Sequence, residues 1–476
     1  MKTSLQPKPH RLALGLAALA AGSALAVAGE RGPVRFTVDP MGEPVPALRY
    51  TLVDEKIDQT PGNAALAYQR VARMLAADKT WTEQKDQWTD WLGMPLADFP
   101  PDAVRQLLDQ HRNNLEQLLK ATRYEQCDWG TRIREEGFSA LLPHLAELRG
   151  TARLLALDIR RLVREGRYDE AVVRLRAGMT LARHAAAGDL LIEGLVGVAI
   201  ANTMLDRIEE MISQPDAPNL YWALADLPPG YLSAWQSTRW ERSCVYVELP
   251  LLRFASDQAV TADDFRRAIS DFQSLAGGDV RPGWLPPEEA QALHAAGIGL
   301  AAYPRACQQL IARGRSAEEV QQMSVARVLT TYIGESYAIL RDDLFKWFAL
   351  PYQQARRGIE QADADLQRAI VNDPVGSIIP RLVLPSLNRV LDRFVDLDRR
   401  LAALRCVEAI RAHAVGSEGE LPTSLAELRP LPAPLDPVTG APFGYRIEAA
   451  TAHLESPKAP DGERTGALEY LLTLRP

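Results

Sequence analysis

Cysteine, histidine and aromatic side chains are all scarce in this chain: its 476 residues include 4 Cys, 7 His and only 7% Phe, Trp and Tyr. Cys127, Cys244, Cys307 and Cys406 lie far apart, none belongs to a C-x-x-C pair, and no His stands at ligand spacing from them. That pattern argues against a structural zinc. Four cysteines in an exported chain allow three disulfide connectivities. Each also sits in an apolar helical context, where a thiol packs as a small hydrophobe. No G-x-S-x-G, H-E-x-x-H, Walker loop or strand-to-helix G-x-G-x-x-G occurs, so no catalytic class is signalled and no cofactor is expected.

Long apolar runs are also missing beyond the N-terminus. Gly194 to Ala201 is apolar, but Glu193 and Asp206 bracket it and leave it too short to cross a bilayer. It reads as a buried helix. The net charge of −7 becomes −10 once Lys2, Lys8 and Arg11 are removed, since residues 1–28 carry no acid. A mildly acidic chain has no bulk electrostatic reason to bind nucleic acid. Arg160-Arg161 and Arg399-Arg400 are interleaved with acids and read as solvated helix faces.

What the chain does have is an address. Lys2, Lys8 and Arg11 precede an apolar run from Leu12 to Val27, and Ala26-Val27-Ala28 offers small residues where a signal peptidase reads. This is the layout of a secretory signal peptide spanning 1–28, cleaved after Ala28, and it implies a periplasmic or secreted protein. An uncleaved N-terminal anchor is the alternative. No transmembrane span is expected in the mature chain.

Val34 to Val38 and Ala47 to Val53 read as short extended pieces. Thr60-Pro61 reads as the start of a helix over Gly62 to Ala77, with Thr capping and Pro in the first turn. Ala103 to Thr122 carries leucines at three- and four-residue steps and reads as one helix. Leu148 to Arg164 and Tyr168 to His184 form a helical hairpin about Glu165-Gly166-Arg167. The string Gly166 to Ala171 resembles the turn of a tetratricopeptide repeat, though no second copy follows. Tyr231 to Leu252 is aromatic-rich and the chain then reads as helical through Ala276; helices resume over 288–314, 317–348 and 352–371, with the Gly277-Gly278 to Pro287 stretch as a loop. A long helix over Ser386 to Ala414, with an apolar seam through Phe394, precedes three strands at Phe443 to Ile447, Thr451 to Glu455 and Leu468 to Leu474.

The fold expected is mainly α: an irregular helical-hairpin body with a small C-terminal α+β module of one long helix and a three-stranded antiparallel sheet. The divisions are 29–230, 231–385 and 386–476. The ending Ala409 to His413, Gly419 to Leu428, Asp436-Pro437 and Gly440 to Tyr445 resembles the exported part of a type II secretion pseudopilin. That family's methylated N-terminal segment and assembly helix have no counterpart, so the resemblance implies a module shape and not filament assembly. Pro46 to Tyr50, Asp58 to Ala65 and Pro218 to Leu224 make the whole chain similar to a group of uncharacterised exported bacterial proteins. That similarity implies an envelope location and a helical body, with no activity attached.

Few residues suggest chemistry. Glu241 and Glu248, beside Trp235, Trp240 and Tyr246, are the paired carboxylates a glycosidase would need next to a sugar-stacking wall. Trp81, Trp88 and Trp91 fall near one helix face and read either as core packing or as a carbohydrate or partner platform. His144 and Glu147 share a helix face, as two metal ligands or as a satisfied helix-end His. Asp54, Asp58 and Asn63 read as capping groups around the first helix. The function expected is that of a non-enzymatic exported scaffold with an envelope protein partner, bound through the seam around Phe394; its oligomeric state is open. The alternatives are an exported hydrolase of glycan or peptide and a periplasmic small-ligand binder.

Overall fold

The computed structural model describes residues 32–137, 140–228, 230–254, 260–275, 287–384, 387–457 and 467–475. The signal segment and the Gly277-Gly278 loop lie outside them. The chain is mainly helical with a small sheet, and it divides into two compact units. One unit comprises 27–131, 142–237 and 391–476; the other comprises 132–141 and 238–390.

In the first unit the C-terminal sheet has four strands rather than three. The strands β1 (Val34–Val38), β4 (Gly444–Glu448), β5 (Thr451–Glu455) and β6 (Glu469–Leu474) lie in the order β1-β6-β5-β4. β4, β5 and β6 are antiparallel neighbours, while β1 runs parallel to β6 with Val34 opposite Tyr470. The sequence reading missed this because an isolated five-residue strand carries no mark of its partner. The physical reason is burial. Phe36 and Val38 point inward at 3% and 0% exposure, and the Phe36 ring meets Tyr470 edge-on at 4.9 Å.

Thr60-Pro61 also differs from expectation. Thr60 to Asn63 is a strand, β2, parallel to β3 (Tyr124–Gln126), and the helix begins only at Ala65. The Thr60 N–H donates to the Arg123 carbonyl and the Ala64 N–H to the Gln126 carbonyl, both at 2.8 Å. Those bonds hold the segment extended, and Asn63 Oδ1 accepts the Ala65 N–H instead. Lys79–Glu83 and Lys85–Gly93 are separate helices, and the single helix expected over Ala103 to Thr122 is broken at His111 into Pro101–Gln110 and Arg112–Ala121.

The hairpin of Pro143–Arg164 and Tyr168–Ala185 forms the middle of this unit, with Gly166 at φ +71° in its turn. The Arg167 N–H closes back on the Leu162 carbonyl at 2.9 Å, a helix ending that a left-handed glycine permits. The buried Leu191–Ile212 helix packs on both arms. It approaches Tyr168–Ala185 closely. A Cβ on Gly197 would lie 2.7 Å from the Ala182 carbonyl oxygen.

Buried arginines tie the long Leu387–Gly416 helix, from Leu391 onward, to its surroundings. Arg399 pairs with Asp436 at 2.9 Å, Arg400 with Asp206 and Glu209, and Arg411 with Glu408. Tyr470 on β6 donates to the same Glu209 at 2.7 Å. Arg160 is fully buried and pairs with Glu210. The solvated-face reading of Arg160 and of Arg399-Arg400 is therefore corrected, because carboxylates distant in sequence surround them.

The second unit is helical among its described residues. Its centre is Val325–Phe345, separated from Ala317–Gln322 at Ser324, whose hydroxyl caps the helix by accepting the Arg327 N–H. Arg341 lies over Tyr246 at 5.0 Å and Tyr337 at 5.6 Å, while Tyr332 donates to Asp373.

Two glycine substitutions test the first unit's packing. Gly197→Ala should lower unfolding free energy by about 1–2 kcal/mol, because overpacking against a backbone carbonyl outweighs the helix-propensity gain. Gly150→Ala, where nothing lies within 4 Å of the added carbon, should raise it by about 0.5–1 kcal/mol. Urea denaturation with unchanged slope checks both.

Candidate functional site

The connection between β1 and β2, residues 39–59, is a strap with little regular structure, laid along the Tyr168–Ala185 helix. Asp169, Arg176 and Thr180, seven and four residues apart, share a helix face and supply its footholds. Arg49 pairs with Asp169 at 2.7 Å, and the Tyr50 hydroxyl donates to the same carboxylate at 2.6 Å. Leu52 is fully buried. Asp54 then meets Arg176 at 3.2 Å and accepts from the Thr180 hydroxyl at 3.1 Å. Burial and the Asp169 charge push the Tyr50 hydroxyl up to about 12, so it remains a donor at neutral pH.

On the other side the strap is held as firmly. The Met41 N–H donates to the Arg411 carbonyl at 3.0 Å, and Trp222 Nε1 donates to Glu43 at 2.8 Å. Between Glu43 and Arg49 the chain turns outward. Val45 is 88% exposed and Leu48 71% exposed, and Pro46 and Ala47 between them are also exposed. Ile57, further along the strap, is 86% exposed. Apolar side chains this exposed are poorly placed for an isolated fold, and the anchors on either side keep them from folding back.

In the same unit lies a buried polar cluster. The Tyr68 hydroxyl pairs with His184 Nδ1 at 2.8 Å, and Trp129 Nε1 donates to the His184 carbonyl at 3.0 Å. The Trp129 ring stacks on His144 at 4.7 Å, and His144 Nε2 lies 3.3 Å from Glu193 Oε1. Glu193 Oε2 accepts the Leu190 N–H at the start of its helix and rests against Gly188, where no side chain would fit. Burial pushes His184 down to about 3, with Arg183 adding repulsion and the Tyr124 carbonyl opposing. Burial likewise holds Tyr68 far above its ordinary value, with Cys127 and Asp54 adding to it. His184 is therefore neutral, and hydrogen bonds from Tyr68 and Trp129 tie its helix to the segments around it.

The residues singled out in the sequence fall elsewhere. Trp81, Trp88 and Trp91 are all buried, with Trp81 stacked on Trp88 at 3.8 Å. Phe394 is buried too, its ring tip near Gly194. Glu241 is buried, while Glu248 is half-buried with its carboxylate against Gly137. Trp240 is buried, and Tyr246 is engaged by Arg341 and Tyr337. His144 turns to Glu193 rather than to Glu147. Asn63 does cap the following helix, Asp54 anchors the strap, and Asp58 is exposed. Among the described residues no group of three His, Cys, Asp or Glu is placed to hold a metal, and no helix is long and apolar enough to cross a membrane. All four cysteines are free, and burial raises the thiols of Cys127, Cys244 and Cys406. The strap and cluster escaped sequence reading because Tyr68, Trp129, His184 and Glu193 come from separate segments. The run Val45 to Leu48 was itself a visible signal: apolar residues among prolines, outside any periodic element.

Compared with protein-family models, characterised proteins and solved structures, the chain matches none.

Two measurements test the cluster. His184 has its folded pKa depressed below the unfolded value of about 6.5. Its contribution to stability is therefore complete above pH 6.5 and lost as pH falls toward 3, on the order of 5 kcal/mol over that window. His184→Phe should flatten that acid limb in urea midpoints taken from pH 7 to 4. Glu193→Ala, which strips partners from His144 and the Leu190 N–H, should cost about 1–3 kcal/mol, with Glu193→Gln recovering part of it.

Proposed function

We propose that the protein is a non-enzymatic component of the cell envelope that acts by holding another protein, and that the strap tip Val45 to Leu48 is its contact. The observation that carries this reading is the pairing of large exposed apolar side chains with anchors on both sides, the Met41 backbone bond before them and the buried Asp54 after them. A contact loop already held in its binding conformation loses little entropy when a partner covers it. The signal-like N-terminus supports export. The helical hairpin at Gly166, taken as tetratricopeptide-like, and the pseudopilin-like ending supply further helix and strand surfaces of the kind that envelope assemblies use.

A photo-crosslinking residue at Leu48, introduced into the full chain in cells, tests this. The expected result is one discrete adduct with an envelope protein, recovered again when the crosslinker is placed on that partner. Val45→Glu with Ala47→Glu, the crosslinker kept at position 48, should abolish the adduct while leaving stability within about 0.5 kcal/mol, since both positions are exposed. Absence of any specific adduct at Leu48 removes the proposal.

A further inference from the structure

We infer that Arg149 and Arg153, on one face of the Pro143–Arg164 helix, form a binding site for a phosphate group. Ala146, Arg149, Gly150 and Arg153 are separated by steps of three and four and so occupy one continuous patch of helix surface. Both arginines are half-buried. Around them the helix carries almost nothing: Ala146 is exposed with a single methyl, and no atom lies within 4 Å of where a Gly150 Cβ would stand. The patch is an open stretch of helix surface with two cations on it.

Neither arginine has a carboxylate or carbonyl partner among the described residues, in a chain that has 61 acidic residues. Further along the same helix the contrast is plain. Arg160 pairs with Glu210, and Arg161 pairs with both Asp158 and Glu165. Burial and the neighbouring Arg153 hold Arg149 below its ordinary value, with no acid opposing them. Two like charges one turn apart destabilise a helix, and partial burial without a counter-ion adds to the cost. A bound anion relieves both. A phosphate group fits better than a carboxylate, because it carries close to two negative charges near neutral pH and offers several acceptor oxygens to two planar guanidinium forks.

Free phosphate and a phosphorylated solute share this chemistry, and a phospholipid headgroup, a phosphodiester, offers the same acceptor oxygens with one negative charge. Two arms separate them, both on the full-length mature chain. The first is thermal unfolding with inorganic phosphate against chloride at matched ionic strength. The second is co-sedimentation with phosphatidylglycerol vesicles, with phosphatidylcholine vesicles as control. We expect phosphate to raise the melting temperature of the wild type by several degrees and to leave the Arg149→Gln, Arg153→Gln double variant unmoved. Without phosphate the double variant should melt no lower than wild type, since it loses a repulsion and no ion pair. Gly150→Leu, which places bulk between the two arginines without altering charge, should weaken the phosphate effect at least tenfold. A shift with free phosphate and no sedimentation assigns a soluble ligand. Sedimentation with phosphatidylglycerol that the double variant loses assigns a headgroup. No response in either arm, or an equal response in the double variant, overturns the site.

Discussion

Arginine burial is the constraint on which the first unit depends. A guanidinium cannot leave water without acceptors in reach, and removing one partner of such a pair typically costs several kcal/mol. Arg399, Arg400 and Arg411 follow one another along the C-terminal helix, and each finds its acceptors in a different place: Asp436 in the loop before β4, Asp206 and Glu209 on the Leu191–Ile212 helix, and Glu408 with the Ala217 and Pro218 carbonyls. Sliding that helix by one residue would strand Arg399 and Arg400 and would take Arg411 from the Ala217 and Pro218 carbonyls, leaving it only Glu408 on its own helix. Hydrophobic contact alone would tolerate several registers, whereas these pairs tolerate one. The sheet depends on the same register, because Tyr470 on β6 shares Glu209 with Arg400.

Much of the helical architecture was legible in the residues. The hairpin about Gly166, the buried helix after Glu193, the long C-terminal helix and the three last strands all follow from periodicity and turn chemistry, which act over a few residues. What was not legible depends on distant partners. Val34 to Val38 reads as extended, but its place beside β6 depends on Tyr470; Thr60 to Asn63 is extended because of Arg123 and Gln126, and Arg399 is buried because of Asp436. The candidate site divides the same way. Asp54 and Asn63 were noticed as polar groups, but that Asp54 would clasp Arg176 while Asn63 capped a helix is a matter of three-dimensional proximity. The tryptophans and paired glutamates drew notice for their chemistry, and the fold uses the tryptophans and Glu241 inside its cores.

The strap and the buried cluster serve complementary ends. A loop rich in proline and exposed apolar residues ordinarily samples many conformations or collapses onto the nearest apolar surface. Here Tyr50, Leu52 and Asp54 fasten it to the Tyr168–Ala185 helix, and Tyr68 and Trp129 brace that same helix through His184. The rigidity of the outer loop is thus inherited from an inner network of neutral donors and acceptors. Its weak point is acid, where the unfolded chain takes up a proton that the folded His184 refuses.

The pairing of β1 with β6 sets the order in which this molecule can be completed. Val34 and Tyr470 are neighbours in space yet lie near opposite ends of the polypeptide, and the whole stretch 238–390 intervenes as a separate unit. A chain that emerges from its N-terminus therefore leaves β1 without its strand partner until β6 arrives, with the Leu191–Ile212 helix to pack against in the meantime. The intervening unit, whose contacts are nearer in sequence, faces a much shorter wait. The interval between the two is a period of vulnerability, and anything that shields a short apolar strand during that time acts on the yield of the protein without ever touching its finished form.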